Sequence, residues 1–300
     1  MLNGIIIVNK EPRFTSNDVV AKMRGICKQK KIGHTGTLDP DATGVLPVCL
    51  GTGTKLCDML TERDKEYVTE LLLGVSTDTQ DISGTVLSER PVTATEAQVR
   101  EAVLSFVGDY DQIPPMYSAL KVDGKKLYEL AREGKEVERK ARRVEVLEIE
   151  ILEVKLPIVK MRVHCTKGTY IRTLCHDIGE KLGCGGTMQS LVRTKVGKFT
   201  LEQAHTLKEL EEIRDGVGLE SVLISTESAF DELPRLSMKP QFDKMLLNGN
   251  ALQADWMSGA TPKTNGARIR ACTSEGQFLG VYEYAAEARR FQPVKMFLGN

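Results

Sequence analysis

The sequence predicts an α+β protein, a mixed sheet with flanking helices followed by a small β domain at the C-terminal end. Three observations carry this. Apolar residues recur at helical spacing in some stretches and alternate in others, with no regular strand-helix-strand repeat. The 300 residues, 41% hydrophobic and 27% charged, suffice for one large unit with a sizeable core and one small unit. Past about residue 235 the texture changes to short strand-like pieces separated by Gly, Pro and Asn.

The first apolar run, residues 5–8, is far shorter than the ~18 residues of a membrane span and reads as a strand, which places the protein in the cytoplasm. Ser16 or Asn17 can cap a helix carrying Val19, Met23, Ile26 and Cys27, expected to end near Lys31. Residues 33–44, rich in Gly, Thr, Asp and Pro, read as a loop before a buried strand over 45–50. A short helix over 56–60 and a strand over 65–73 bearing Tyr67 follow. Thr95 and Gln98 form a capping-box pattern ahead of a helix with Val99, Ala102, Val103 and Phe106, which Gly108 terminates. Residues 114–143 are polar and basic and read as an insertion. The alternation over 144–154 shifts near Val146 and Leu147, as at a β-bulge. Val159, Met161, Val163 and Cys165 alternate with Lys160, Arg162 and His164, a strand with one wet face that includes His164. Strand-like pieces over 267–271, 279–284 and 294–297 build the small domain, so the units are expected at 1–237 and 238–300.

Lys and Arg number 41 and Asp and Glu 41, a net charge of zero that taken alone argues against a polyanionic partner. Local distribution matters more than the total. Residues 1–55 carry Lys10, Arg13, Lys22, Arg24, Lys28, Lys30, Lys31 and Lys55 against Glu11, Asp18, Asp39 and Asp41. A second basic stretch runs from Lys121 to Arg143, and acids between Glu202 and Glu232 restore the balance. Seven cysteines lie scattered without a C-x-x-C pair, and His176 near Cys175 and Cys184 lacks a second ligand pair. Reduced thiols and no metal are expected. Gly51-Thr52-Gly53-Thr54-Lys55 lacks the G-K-S/T ending of a P-loop, which excludes a nucleoside triphosphatase of that type.

Asp39-Pro40 alone is a turn signal, because proline disfavours helical geometry at Asp39 and aspartate bonds nearby backbone. The same loop can present a carboxylate to a ligand from a rigid scaffold. The surrounding residues decide between these uses. Gly33-His34-Thr35-Gly36-Thr37-Leu38-Asp39-Pro40, followed by Ala42-Thr43-Gly44-Val45-Leu46-Pro47, resembles the motif of bacterial tRNA pseudouridine-55 synthases. Asn9-Lys10 with Thr15-Ser16, Lys65-Glu66-Tyr67, Thr77-Asp78-Thr79 with Asp81, Pro114 to Lys121, Lys167-Gly168-Thr169-Tyr170-Ile171-Arg172 and Leu191-Val192-Arg193-Thr194 match in family order. The resemblance covers about residues 3–200, and the β tail is similar to the family's PUA-like domain.

The resemblance implies the pseudouridine synthase fold with a mainly antiparallel sheet, and isomerisation of uridine 55 in the tRNA T loop without a cofactor, by a monomer needing no protein partner. It implies Asp39 as nucleophile or base, Arg172 as its ion-pair partner, and Tyr67 as the residue that stacks on the base and is a candidate to take the C5 proton. His34 would pack into the RNA loop as the target nucleotide turns out. Tyr170 and Leu191 would line the uridine pocket, Lys10 and Asp81 would lie close to it, and residues 114–143 would clamp RNA. Two departures stand out. The family's Lys-Pro-x-Gly turn reads Lys10-Glu11-Pro12-Arg13, and an Arg-Arg-Thr motif reads Val192-Arg193-Thr194, removing one possible cation near the pocket. Besides a synthase acting on another RNA, the rival expectation is a non-catalytic RNA-binding protein, which would need the basic surfaces but not Asp39.

Overall fold

The computed structural model describes residues 1–122 and 124–298. Its first strands, β1 (Gly4–Lys10) and β3 (Thr43–Leu50), pair antiparallel and are apolar almost throughout because both of their faces are covered. Ile6, Val8, Leu46, Val48 and Leu50 pack against helix α1 (Ser16–Ile26) and a later helix at Leu207–Asp215. Ile5, Ile7, Val45 and Cys49 face the other way, toward Phe199, Phe230, Val281 and Phe297.

Helix α1 is capped by Thr15, not by Ser16 or Asn17: the Thr15 side chain accepts from the Asp18 N–H, with the reciprocal bond from the Thr15 backbone to Asp18 completing a capping box. Ser16 is thereby free to turn inward. The helix stops at Ile26, short of Lys31, because Lys28 takes φ 49°, the left-handed geometry that ends helices. Strand β2 (Ile32–His34) then pairs with β3, so the predicted loop begins two residues later than expected, at Thr35.

Helix α2 (Cys57–Thr61) leads to β4 (Lys65–Leu73), whose strict burial alternation matches its one-sided packing. A hairpin of β5 (Val75–Thr77) and β6 (Val86–Glu89) precedes α3 (Glu96–Leu104), which has the Thr95–Gln98 capping box. Ser105 closes α3, and Gly108, expected to terminate it, instead opens the next strand, β7 (Gly108–Gln112), at φ 102°. The insertion holds a two-residue hairpin, β8 (Lys121–Val122) and β9 (Lys125–Lys126), and helix α4 (Leu127–Arg132). Strand β10 (Arg142–Lys155) has the anticipated irregularity between Val146 and Glu148 and a second between Ile151 and Glu153. It pairs with β11 (Ile158–Cys165), on whose wet face His164 pairs with Asp64 and Arg162 with Glu150.

Helix α5 (Ile171–Lys181) packs beneath β12 (Gly186–Val196), followed by β13 (Phe199–Thr200). The nine-stranded sheet runs β1-β3-β12-β4-β11-β10-β7, with β2 on β3 and β13 on β12. It is antiparallel except where β12 meets β3, pairing Val192 with Thr43 and Arg193 with Gly44. This is the mixed, mainly antiparallel α+β sheet expected. A five-stranded sheet of residues 235–296 forms the C-terminal β unit, and its first strand, Arg235–Met238, runs across position 237/238. Phe230, Phe278 and Phe297 meet with ring centroids 5.5–6.0 Å apart and join the two sheets. No helix among the described residues is long and apolar enough to cross a membrane.

The tightest packing under the site is backbone against backbone. A Cβ on Gly179 of α5 would lie 2.1 Å from Gly186 N and 2.2 Å from Gly185 C. Gly179→Ala is expected to destabilise the protein by about 3 kcal/mol, since neither backbone can yield without moving α5 off the sheet. Chemical denaturation measures it, and an unchanged midpoint would contradict the packing described.

Candidate active site

The loop between β2 and β3 carries Asp39 and is held on several sides. Leu38 N donates to the buried Ser16 Oγ at 3.0 Å, Arg13 N to Pro40 O at 2.9 Å, and Ala42 N to Asp39 O at 3.1 Å. Arg13 stands where the family turn has glycine and adopts φ 67°, so the turn survives its departure at a cost of about 1 kcal/mol for an L side chain in that region. Lys10, expected near the substrate, is fully buried and donates to Glu11 O at 3.0 Å, Pro40 O at 2.7 Å and Ala42 O at 2.6 Å. An ammonium has three donors, so none is left for a ligand, and Lys10 holds the loop instead. Burial lowers its pKa to about 8, against the opposing pull of Asp41 and Asp39.

Across the cleft, Arg172 projects from the first turn of α5 with its side chain 5% exposed. Its Nε lies 2.9 Å from Asp39 Oδ2 and its Nη2 donates to Asp39 Oδ1 at 3.1 Å, a two-point grip that fixes the carboxylate plane. Nη1 donates to Thr79 O at 3.0 Å, Nη2 to Tyr117 O at 2.9 Å, and Asp81 Oδ2 stands 3.6 Å from Nη1. Asp81 is itself held by Thr79 Oγ1 at 2.8 Å and Ser83 N at 3.0 Å. It meets the site through Arg172. Burial raises the Asp39 pKa, Arg172 is the main opposing influence, and the like charge of Asp81 adds to the rise. With 37% of its side chain exposed and both oxygens on one guanidinium, the Asp39 carboxyl is fixed in direction yet open to a ligand.

Tyr67 and Leu191 lie on the buried face of β4 and β12, in the apolar cluster that also contains Leu38 and Ala42 of the loop. Burial pushes the Tyr67 phenol up to about 12, opposed chiefly by the guanidinium of Arg193, its cross-strand partner. Tyr67 is therefore protonated at neutral pH. His34 accepts from Gly36 N through Nδ1 at 3.3 Å, leaving Nε2 to carry the proton of the neutral ring. Burial and then Arg193 lower its pKa. Tyr170, half-buried at the start of α5, is clamped by Gln112, whose Oε1 accepts from Tyr170 N at 2.7 Å and whose Nε2 donates to Tyr170 O at 3.0 Å.

The structure thus unites Asp39, Arg172 and Asp81 by direct contacts, sets Tyr67 and Leu191 on the adjoining sheet face, and moves Lys10 to a supporting place. Gln112 and Arg193 emerge as residues of the site that sequence reasoning had not singled out. For Arg193 the signal was present: in the alternation of β12 it falls on the Leu191 face, where an apolar side chain is the rule. Val192 points to the opposite face, opposite Val68, so a cation at that position would not enter the pocket, contrary to the expectation. Chemically the site offers an oriented, ligand-accessible carboxylate beside an aromatic wall.

Two family models match: "TruB family pseudouridylate synthase (N terminal domain)" over residues 24–171 and "tRNA pseudouridylate synthase B C-terminal domain" over 172–231. The chain is 54% identical over 309 aligned positions to tRNA pseudouridine synthase B of Lachnoclostridium phytofermentans, covering 99% of this chain and 100% of that one. It is 48% identical to the protein of the same name from Alkaliphilus oremlandii, with 85% of each covered. Among solved structures, a chain of a Cbf5-Nop10-Gar1 complex is similar at TM-score 0.75 and 27% identity, covering 99% of this chain and 85% of that one. A chain of an H/ACA RNP bound to a substrate RNA containing 2′-deoxyuridine is similar at TM-score 0.72 and 25% identity, covering 98% and 84%.

Removing the Lys10 ammonium strands the Pro40 and Ala42 carbonyls. Lys10→Met is expected to cost about 3 kcal/mol and to speed amide exchange at Ala42. Thermal unfolding and hydrogen exchange measure the two effects. Wild-type exchange at Ala42 in a destabilised variant would mean that the loop is held by other contacts.

Proposed function

Because this chain belongs to the TruB family of pseudouridylate synthases, we propose that it isomerises uridine 55 in the T loop of tRNA, with Asp39 as the residue that acts on the nucleotide. The chain is a tRNA pseudouridine synthase, and the observation that supports this placement of the chemistry is the two-point Arg172–Asp39 pair, formed by segments 133 positions apart. Isomerisation breaks the bond from uracil N1 to ribose C1′ and forms one from C5 to C1′, with the C5 proton lost and N1 protonated, so no redox partner or cofactor enters the balance. Asp39 serves as nucleophile or base. An ionised, rigidly aimed carboxylate suits either role. Tyr67 stacks on the extruded base, and its hydroxyl is the group placed to take the C5 proton. Neutral His34, at the end of β2, packs into the RNA loop, while Tyr170 and Leu191 line the pocket. The basic insertion over 114–143 grips the RNA, and its root touches the centre through the Tyr117 carbonyl. The protein works in the cytoplasm as a monomer, without a protein partner.

Asp39→Asn is expected to abolish tritium release from tRNA labelled at uracil C5 while leaving tRNA binding within about twofold, because the change removes charge and keeps shape. Retained turnover would refute the role of Asp39. Binding without turnover by the wild type would establish the non-catalytic reading, and undiminished release from tRNA lacking uridine 55 would move the target.

The sign of the pH dependence follows from the raised Asp39 pKa. Activity is present above that pKa and lost as pH falls through it, so the acid limb should lie above the ordinary value of 3.8. Arg172→Gln removes the main opposing influence and should carry the limb to still higher pH, besides slowing the reaction. A limb unmoved or shifted downward in single-turnover profiles would contradict the assignment.

A further inference from the structure

Arg193 is the largest side chain buried to below 2% exposure, and among the described residues it has no carboxylate within ion-pair distance. An unpaired buried cation costs several kcal/mol, a penalty that a leucine here, as at Leu191, would avoid. Arg172, by contrast, has two carboxylates. The donors of Arg193 go to the machinery around Asp39: Nε to Val45 O at 2.7 Å, on the strand leaving the catalytic loop, and Nη2 to Gly36 O at 3.4 Å, within that loop. Its backbone lies so close to Gly44 that a Cβ there would meet Arg193 O at 2.2 Å, and Gly44 has φ 103°. Glycine therefore admits the close parallel pairing that brings the guanidinium under the loop. On its other side β12 pairs with β4, and the residue opposite Arg193 on the same face is Tyr67.

We propose that Arg193 is a positioning residue for the isomerisation, orienting the Tyr67 phenol from below while tying that ring to the loop that carries Asp39. This rests on the function proposed above. Burial lowers the Arg193 pKa and the Tyr67 hydroxyl opposes that, as a phenol oxygen turned toward the guanidinium would. Arg193 also reaches His34 through Gly36, whose carbonyl accepts from Nη2 and whose N–H donates to His34 Nδ1. Lysine cannot reproduce this, since it lacks the planar fork that serves the Val45 and Gly36 carbonyls while facing Tyr67.

The test is a double-mutant cycle on full-length protein with tritium-labelled tRNA, reading the single-turnover rate and the tRNA Kd. Arg193→Lys should slow the chemical step about tenfold with Kd within about twofold. In a Tyr67→Phe background the same change should cost under about threefold, because the hydroxyl through which Arg193 acts is already gone. Full additivity of the two losses, or a loss in Kd alone, would overturn the proposal and leave Arg193 a structural residue. Should Arg193→Lys fail to fold, Tyr67→Phe decides: a wild-type rate would show that the hydroxyl facing Arg193 has no role, and a slowed step at unchanged Kd supports the proposal. Wild-type protein that releases no tritium would instead overturn the function on which the proposal rests.

Discussion

The orientation of Asp39 depends on the Arg172 guanidinium. It holds both oxygens of Asp39 and reaches the Thr79 carbonyl, the Tyr117 carbonyl and Asp81, so it joins α5 to the Asp39 loop, the β5–β6 turn and the root of the insertion. Its planar geometry makes these contacts interdependent, since a rotation that improved one would weaken the others. The position of α5 therefore decides the orientation of Asp39. That position is set by glycine: the backbone approach of Gly179 to Gly185 and Gly186 leaves the helix no room to slide.

Much of the architecture is legible in the sequence where one face of an element is buried and the other is wet. Strands β4 and β11 were readable residue by residue because side chains on alternate faces meet different environments. Strands β1 and β3, covered on both faces, show only apolar runs, which locate a strand but carry no register. The helix ends were less legible. Helix α1 stops where the backbone reverses at Lys28, although basic residues continue to Lys31, and composition does not encode that reversal. Strand β7 was hidden for a different reason: its sequence Gly-Asp-Tyr-Asp-Gln has the polarity of a loop, and it is a strand because an edge position beside β10 tolerates charge.

At the site, the turn reading of Asp39-Pro40 and the catalytic reading describe the same atoms. The backbone of Asp39 closes a turn with Ala42, and the bend aims the side chain at Arg172. Family resemblance located the loop, yet it did not distinguish a residue facing the nucleotide from one supporting the backbone behind it. Lys10 belongs to the second kind because its three donors converge on carbonyls, a fact of three-dimensional placement with no one-dimensional signature. Gln112 is similar. Its amide reads as an ordinary strand-end residue until Tyr170 arrives from 58 positions away.

The neutral total charge misleads because paired and unpaired charges are sorted by depth. Exposed strand faces and helix ends carry most of the pairs, such as Arg162 with Glu150, Arg143 with Asp109 and Arg268 with Glu283, and these contribute little net field. Around the site the bookkeeping differs: Lys10, Lys65 and Arg193 are buried with their donors on carbonyls, while Asp39 and Asp81 share Arg172. Among the described residues these three cations have no carboxylate within ion-pair distance, and two of them, Lys10 and Arg193, hold carbonyls of the Asp39 loop. Burial weakens solvent screening of that excess of cations, so the formal total says little about the field at the Asp39 loop. The same excess favours the negative charge that uracil acquires when its bond to C1′ breaks, so the distribution that admits the substrate also suits the species formed from it.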